Sequence, residues 1–421
     1  MHITNNEKLV FLIILPIIAW ALSTYLHDPS TQVLMGNFGF KYSDIVYGLF
    51  YTIFRPGNID KWYNASTYVN FLNSQYKCPV PYVDYKFEYP PVIGVLWYAS
   101  TCIGFMISSN VESSARVHFY INSFVLLVSF ILTSITLYKI TTKIHSSGMK
   151  EYHKHLLLIT PTTVIYLVYN WDIIAALFAV LGVWFFINRK YFKAGVSLGL
   201  SFSTKILTAG LIFYFLVKLL TTNEGNEHKL VKYLIGLTLT GIVPFMALYI
   251  ITPQGFTDFI NHHASWYCEN CLYLPLARNI YSDLNRRLYF SIGTCLMLII
   301  ATLLSPWKNI ELKQDTLYYL ATIMTLIIFN YVFSPQMMLM ITPFAILALN
   351  KPFLYVYLLA DFFNALIIIL FFTEPNPWVF GSNTQYVAFA RNIILLFLLV
   401  YVLVEIIRNK LNTLNTTGES Y

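Results

Sequence analysis

Apolar runs long enough to cross a bilayer recur along this chain, separated only by short polar breaks. A hydrocarbon core needs roughly 20 apolar residues per helix. It leaves no backbone polar group unpaired, so helices are the expected element. The composition, 57% hydrophobic and 17% aromatic against 11% charged, excludes a single soluble domain. We expect an all-α polytopic membrane protein with one membrane domain over residues 1–410. A polar cytoplasmic tail, residues 411–421, should lack fixed structure. Leu9–Leu26 follows Lys8 as a signal peptide would, but no small-x-small cleavage site follows it, so it reads as a retained first helix.

The net charge of +7 would suggest nucleic acid in a soluble protein. Here it is read through its distribution across the membrane, and no nucleic-acid partner is expected. Segments rich in Lys and Arg should face the cytoplasm: Lys139–Lys154, Asn188–Lys193, Lys218–Lys232, Lys308–Lys313, Lys351 and Arg408–Lys410. With the N-terminus inside, the loop of residues 28–91 lies outside, and one of two apolar runs before Lys139 must then fail to cross. Val92–Ser108, which follows Pro90-Pro91 and carries Gly94 and Gly104, is expected to be interfacial or re-entrant. Further spans are expected at Val117–Tyr138, His155–Tyr169 and Asp172–Ile187. Two short helices then meet outside at Lys205. Val231–Ile251, Leu288–Leu304, Leu317–Phe333, Met337–Leu349, Phe353–Phe372 and Asn392–Ile407 complete twelve spans, with both termini inside.

This map gathers the unusual residues on the outer side: Asp44, Lys86, Glu88, Asp172, Lys205 and the cluster Arg278–Arg287. Carboxylates and cations beside an apolar bundle are what a site for an anionic lipid substrate needs. For Lys41, Arg55, Lys61 and Lys77 an ordinary polar loop is the better reading. Asp44, in Tyr42-Ser43-Asp44-Ile45-Val46-Tyr47, fits two roles equally. One is a half-desolvated general base; the other is the N-cap of a helix from Ile45 to Phe54. In Lys86-Phe87-Glu88-Tyr89-Pro90-Pro91 the prolines impose an extended chain. Lys86 and Glu88 then point the same way, as suits an ion pair or a sugar-binding site. Five cysteines are too few for a disulfide framework. Cys268 and Cys271 form a lone C-x-x-C, either a local disulfide or two thiols, and zinc is not expected.

The order Ser43-Asp44-x-Val46-Tyr47, Glu88-Tyr89-Pro90-Pro91, Asn170-Trp171-Asp172, Thr204-Lys205 and Ser334-Pro335-Gln336 resembles the GT-C superfamily of lipid-phosphate-sugar glycosyltransferases. The resemblance runs from the first span to the tenth. It is nearest to GPI mannosyltransferase I and the prokaryotic polyprenol-phosphate-mannose-dependent α-mannosyltransferases. It implies transfer of a sugar, expected to be mannose, from a dolichyl or polyprenyl phosphate to an extracytoplasmic lipid-linked or glycan acceptor. Membrane lipids are the other partners. The host membrane would be the plasma membrane in a prokaryote and the endoplasmic reticulum in a eukaryote.

Under that resemblance Asp44 is the catalytic base of an inverting displacement. Lys205 meets the donor phosphate, and Asp172 matches an acidic motif. Lys86, Glu88, Tyr89, Arg278, Arg286 and Gln336 join the substrate-binding set. The family's D-x-D is broken here, because Val46 holds the second acidic position, and a divalent metal cofactor is correspondingly doubtful. A retaining route would need a second carboxylate, with Glu88 and Asp172 as candidates. No glycine-rich nucleotide loop occurs, so a lipid-carried donor fits better than a nucleotide sugar. The competing readings are a transporter, suggested by broken helices and by Asp361 within a span, and a non-catalytic subunit of a glycosylation complex.

Overall fold

A computed structural model describes residues 5–55, 61–63, 78–108, 110–144, 156, 158–221, 227–277, 292–296, 298–300 and 312–417. The expected span Leu288–Leu304, apart from short pieces, and both Arg278 and Arg286 lie outside the described residues. The helices are α1 (Asn5–His27), α2 (Asp44–Phe54), α3 (Pro91–Ile107), α4 (Val111–Ile144), α5 (Pro161–Tyr166), α6 (Asp172–Ile187) and α7 (Tyr191–Thr204). They continue as α8 (Ala209–Thr221), α9 (Glu227–Ile251), α10 (Pro253–Ser265), α11 (Leu312–Ile328), α12 (Met338–Ala348), α13 (Lys351–Phe371) and α14 (Asn383–Thr417). β pairing among the described residues is confined to the isolated bridges Pro81–Tyr85 and Glu269–Val332.

The chain is a helical membrane protein. Four described helices are long and apolar enough to cross a bilayer: α4, α9, α13 and the Asn383–Asn412 part of α14. The other apolar helices are shorter, among them α3, α6 and Pro335–Ala348. Among the described residues, length and hydropathy thus mark four crossings. The expected span His155–Tyr169 differs most, since among its described residues only Pro161–Tyr166 is α-helical. Proline at the first helical position forces Thr160 into an extended conformation and stops the helix from reaching back. At the other end of the chain, helix continues to Thr417 where an unstructured tail was expected from residue 411. Val400, Val404, Ile407 and Leu411, all exposed, carry one apolar stripe into that region.

Side-chain contacts sort the helix ends into two sets. Lys143, late in α4, donates to the Asn188 carboxamide at 2.7 Å, just beyond the end of α6. Trp171, just before the start of α6, donates to Asn122 of α4 at 2.8 Å. The rise from Asn122 to Lys143 is about 32 Å, close to a hydrocarbon thickness. The part of α4 preceding Asn122 pairs with α3 beyond that length: Ser100 and Asn122 are 3.0 Å apart, and a Cβ on Gly104 would stand 2.8 Å from the Ser114 carbonyl. Helix α6 packs antiparallel on α7, with Ser201 donating to Ala175 at 2.7 Å. Helices α7 and α9 run parallel and nearly in backbone contact, since a Cβ on Gly195 would lie 2.1 Å from the Tyr233 carbonyl. Close approach through glycine is how membrane helices gain packing that lipid cannot offer.

Disulfides are more extensive than expected. Cys78 bonds Cys102 and Cys268 bonds Cys271, while Cys295 is free and exposed. The first tether ties the segment preceding α3 to α3 itself, and the second closes a tight turn.

Candidate functional site

Ser43, and not Asp44, caps α2. The Ser43 hydroxyl accepts from Val46 N at 3.3 Å, and its carbonyl accepts from both Tyr47 and Gly48 at 2.9 and 3.0 Å. The second of those bonds spans five residues, so α2 opens as a π-turn, an irregular form frequent at functional sites. Asp44 becomes the first helical residue, with its amide held by the Tyr169 carbonyl at 3.0 Å. Its carboxylate is thus released from capping and enters a cavity of about 720 Å³. Two residues on, Val46 turns fully into the core.

Within the cavity one Asp44 oxygen accepts from Asn170 at 2.7 Å, Tyr89 at 3.3 Å and Gln336 at 3.5 Å. These donors come from three separate breaks: before α6, before α3 and before α12. Asn170 also donates to the Tyr89 hydroxyl at 3.0 Å, so donor and orienter are themselves linked. Burial pushes the Asp44 carboxyl up from 3.8 to about 7, repulsion from Glu88 and Glu269 adds to this, and Asn170 and Lys205 oppose it. A carboxylate tuned in this way is suited to take a proton near neutral pH. The other polar atom of Gln336, its Oε1, is buried without a partner, an acceptor left for something in the cavity.

Lys205 lies in the cavity wall at the break after α7. Asp172, whose side chain is wholly buried, holds it at 3.1 Å from below. The two expected site residues therefore have different places. Lys205 can meet a ligand, whereas Asp172 lies outside the cavity wall and fixes Lys205.

Lys86 also departs from expectation. It pairs with Asp258 at 3.5 Å and does not line the cavity. Glu88 does line it, meeting His262 at 3.1 Å and the Tyr63 hydroxyl at 2.8 Å. Residues two apart on an extended chain are about as widely spaced as residues four apart on a helix, roughly 6–7 Å. Lys86 and Glu88 thus address Asp258 and His262 of α10 in register. Burial pushes the Glu88 carboxyl up, but the His262 hydrogen bond and charge, with Tyr63 and His263, more than offset it and hold it low.

Glu269, Asn170 and Trp266 were not read as site residues from the sequence. Glu269 sits inside the Cys268–Cys271 turn and bridges to Val332, donating to Tyr331 and accepting from Phe333 through the backbone. Its carboxylate accepts from Trp266 Nε1 at 2.9 Å, and both residues line the cavity. The turn is anchored by fully buried Arg391, which donates to the carbonyls of Asn270 and Phe333 at 3.0 and 2.9 Å and to the Asn364 carboxamide. A carboxylate between two closely spaced cysteines was the one signal available for it.

Asp361, the residue that favoured transport, accepts from Thr160 at 2.8 Å and from Thr162 N at 3.1 Å. It caps the N-terminus of α5, which accounts for a carboxylate at that depth. Among the described residues no group of His, Cys, Asp and Glu is gathered to hold a metal ion. Compared with protein-family models, curated proteins and solved structures, the chain matches none.

Proposed function

We propose that this protein is a lipid-phosphate-sugar-dependent glycosyltransferase, with mannose the expected sugar, acting at the extracytoplasmic face. The observation that carries this reading is the pairing, in one cavity, of a carboxylate raised to about 7 with a cation locked in place from below. In the proposed reaction Asp44 takes the proton of an acceptor hydroxyl. That oxygen attacks the anomeric carbon from the face opposite the phosphate, and the sugar–phosphate bond breaks with inversion. Lys205 neutralises the charge that grows on the departing lipid phosphate, an interaction stronger in the transition state than before it. Asn170, Tyr89 and Gln336 orient the base.

Two features support the orientation. The disulfides and the cavity residues belong to the same end of the helices, and disulfides persist in oxidising compartments. The opposite end carries Lys143, Arg189, Lys190, Lys193, Lys229 and Lys232, as the positive-inside rule requires of a cytoplasmic face. In this topology α3 does not cross; it lies on the outer end of α4. The twelve-span arrangement then needs residues 288–304 as one crossing.

Purified protein incubated with radiolabelled polyprenyl-phosphate-mannose and a lipid acceptor should transfer label, and Asp44→Asn should not. Intact donor after prolonged incubation with a range of glycolipid acceptors would refute the reading.

A further inference from the structure

On the face opposite the cavity, the turn between α6 and α7 and the start of α9 enclose a groove of about 540 Å³. Among the described residues its wall contains Arg189, Lys190, Lys193, His228, Lys229 and Lys232 and no carboxylate. Glu227, next to His228 in sequence, is not part of it. Because α7 and α9 run parallel, both start here, and both direct the positive ends of their dipoles at the same groove. The charges of Lys190, Lys193 and Lys232, brought to one groove, repel one another, and a shared anion relieves that repulsion.

The groove is continuous with an apolar surface. His228 and Lys232 lie on one face of α9, and that same face continues through Ile235, Leu239, Ile242 and Met246, which are 48%, 52%, 51% and 51% exposed. Cations therefore head a stripe of exposed aliphatic residues along the length of a crossing helix. Phe192, 43% exposed, stands beside the cations at the junction. A soluble phosphate would use the charges and leave the stripe unexplained; an amphiphile uses both.

We infer that this groove binds the phosphate headgroup of an anionic membrane lipid of the cytoplasmic leaflet, with the acyl chains along α9. The site is separate from the cavity and does not depend on the activity proposed for it, although the choice of leaflet rests on the orientation proposed above. Lys190, Lys193 and Lys232 are exposed and supply the charge, while the α9 stripe supplies the contact that holds a lipid over a free anion.

Native mass spectrometry of the full-length protein, released from micelles doped with dioleoyl phosphatidic acid or dioleoyl phosphatidylcholine, tests this. The wild type should retain phosphatidic acid about tenfold better than phosphatidylcholine, and Lys190→Gln/Lys193→Gln/Lys232→Gln should lower that preference to about twofold or less. Lys351→Gln/Arg408→Gln/Lys410→Gln removes equal charge elsewhere and should leave it intact. Lys232→Gln alone, at an exposed position, should lower it about threefold and covers the case in which the triple variant does not fold. Equal preference in wild type and groove variants would overturn the proposal. So would displacement of phosphatidic acid by equimolar inorganic phosphate, which would mark a site for free anions.

Discussion

Asp172 opens α6 and meets Lys205, which follows α7, at 3.1 Å, with the carboxylate fully buried and the ammonium open to the cavity. The pair is asymmetric by design of the backbone: one partner is inaccessible to any ligand, the other is available to one.

Removing a single partner of such a pair leaves an uncompensated charge and should cost about 3–5 kcal/mol. Asp172→Leu and Lys205→Ala should both lower the thermal midpoint of the purified protein. Asp172→Leu/Lys205→Met should recover much of that loss, because no charge is then stranded, yet remain inactive. Recovered transfer in the double variant would show that Lys205 serves the fold alone.

Ser43 and Asp44 divide capping and chemistry between them. Ser43→Ala should cost about 1 kcal/mol of stability, the usual worth of a cap, with little change in turnover. Asp44→Asn should lower transfer by about 100-fold or more while the protein inserts and binds donor normally. The reverse pattern would reassign the two residues.

The pH dependence follows from the raised Asp44 carboxyl. With the acceptor proton taken by Asp44, activity should rise through an apparent pKa of about 7 and be lost below it. Stability runs the other way: the folded state favours the proton, so Asp44 contributes stability below about 4 that disappears as pH rises through about 7. Asp44→Asn should therefore melt higher than wild type at pH 8 and by a smaller margin at pH 4. Identical melting shifts at both pH values would contradict an elevated Asp44.

The proposed orientation can be read by labelling. In a cysteine-free background, Asn376→Cys, exposed between α13 and α14, should react with an impermeant thiol reagent from outside, and Lys190→Cys should not. Closing the Cys78–Cys102 loop should be worth about 3 kcal/mol, so Cys78→Ser/Cys102→Ser should melt measurably lower.

Sequence alone determined the helical membrane class, because hydropathy is a local property, each run being apolar whatever it packs against. It also pointed to Asp44, Glu88, Tyr89, Lys205 and Gln336, which the structure brings into one cavity. Tertiary structure decided what each of them does there. Ser43 caps in place of Asp44, whose amide is held by the distant Tyr169 carbonyl; Lys86 leaves for Asp258 because α10 presents an acid opposite it. Glu269 enters the cavity because buried Arg391, more than 100 positions away in the chain, holds the Asn270 carbonyl. Partner choice of this kind depends on segments far apart in sequence, and no local pattern of polarity encodes it.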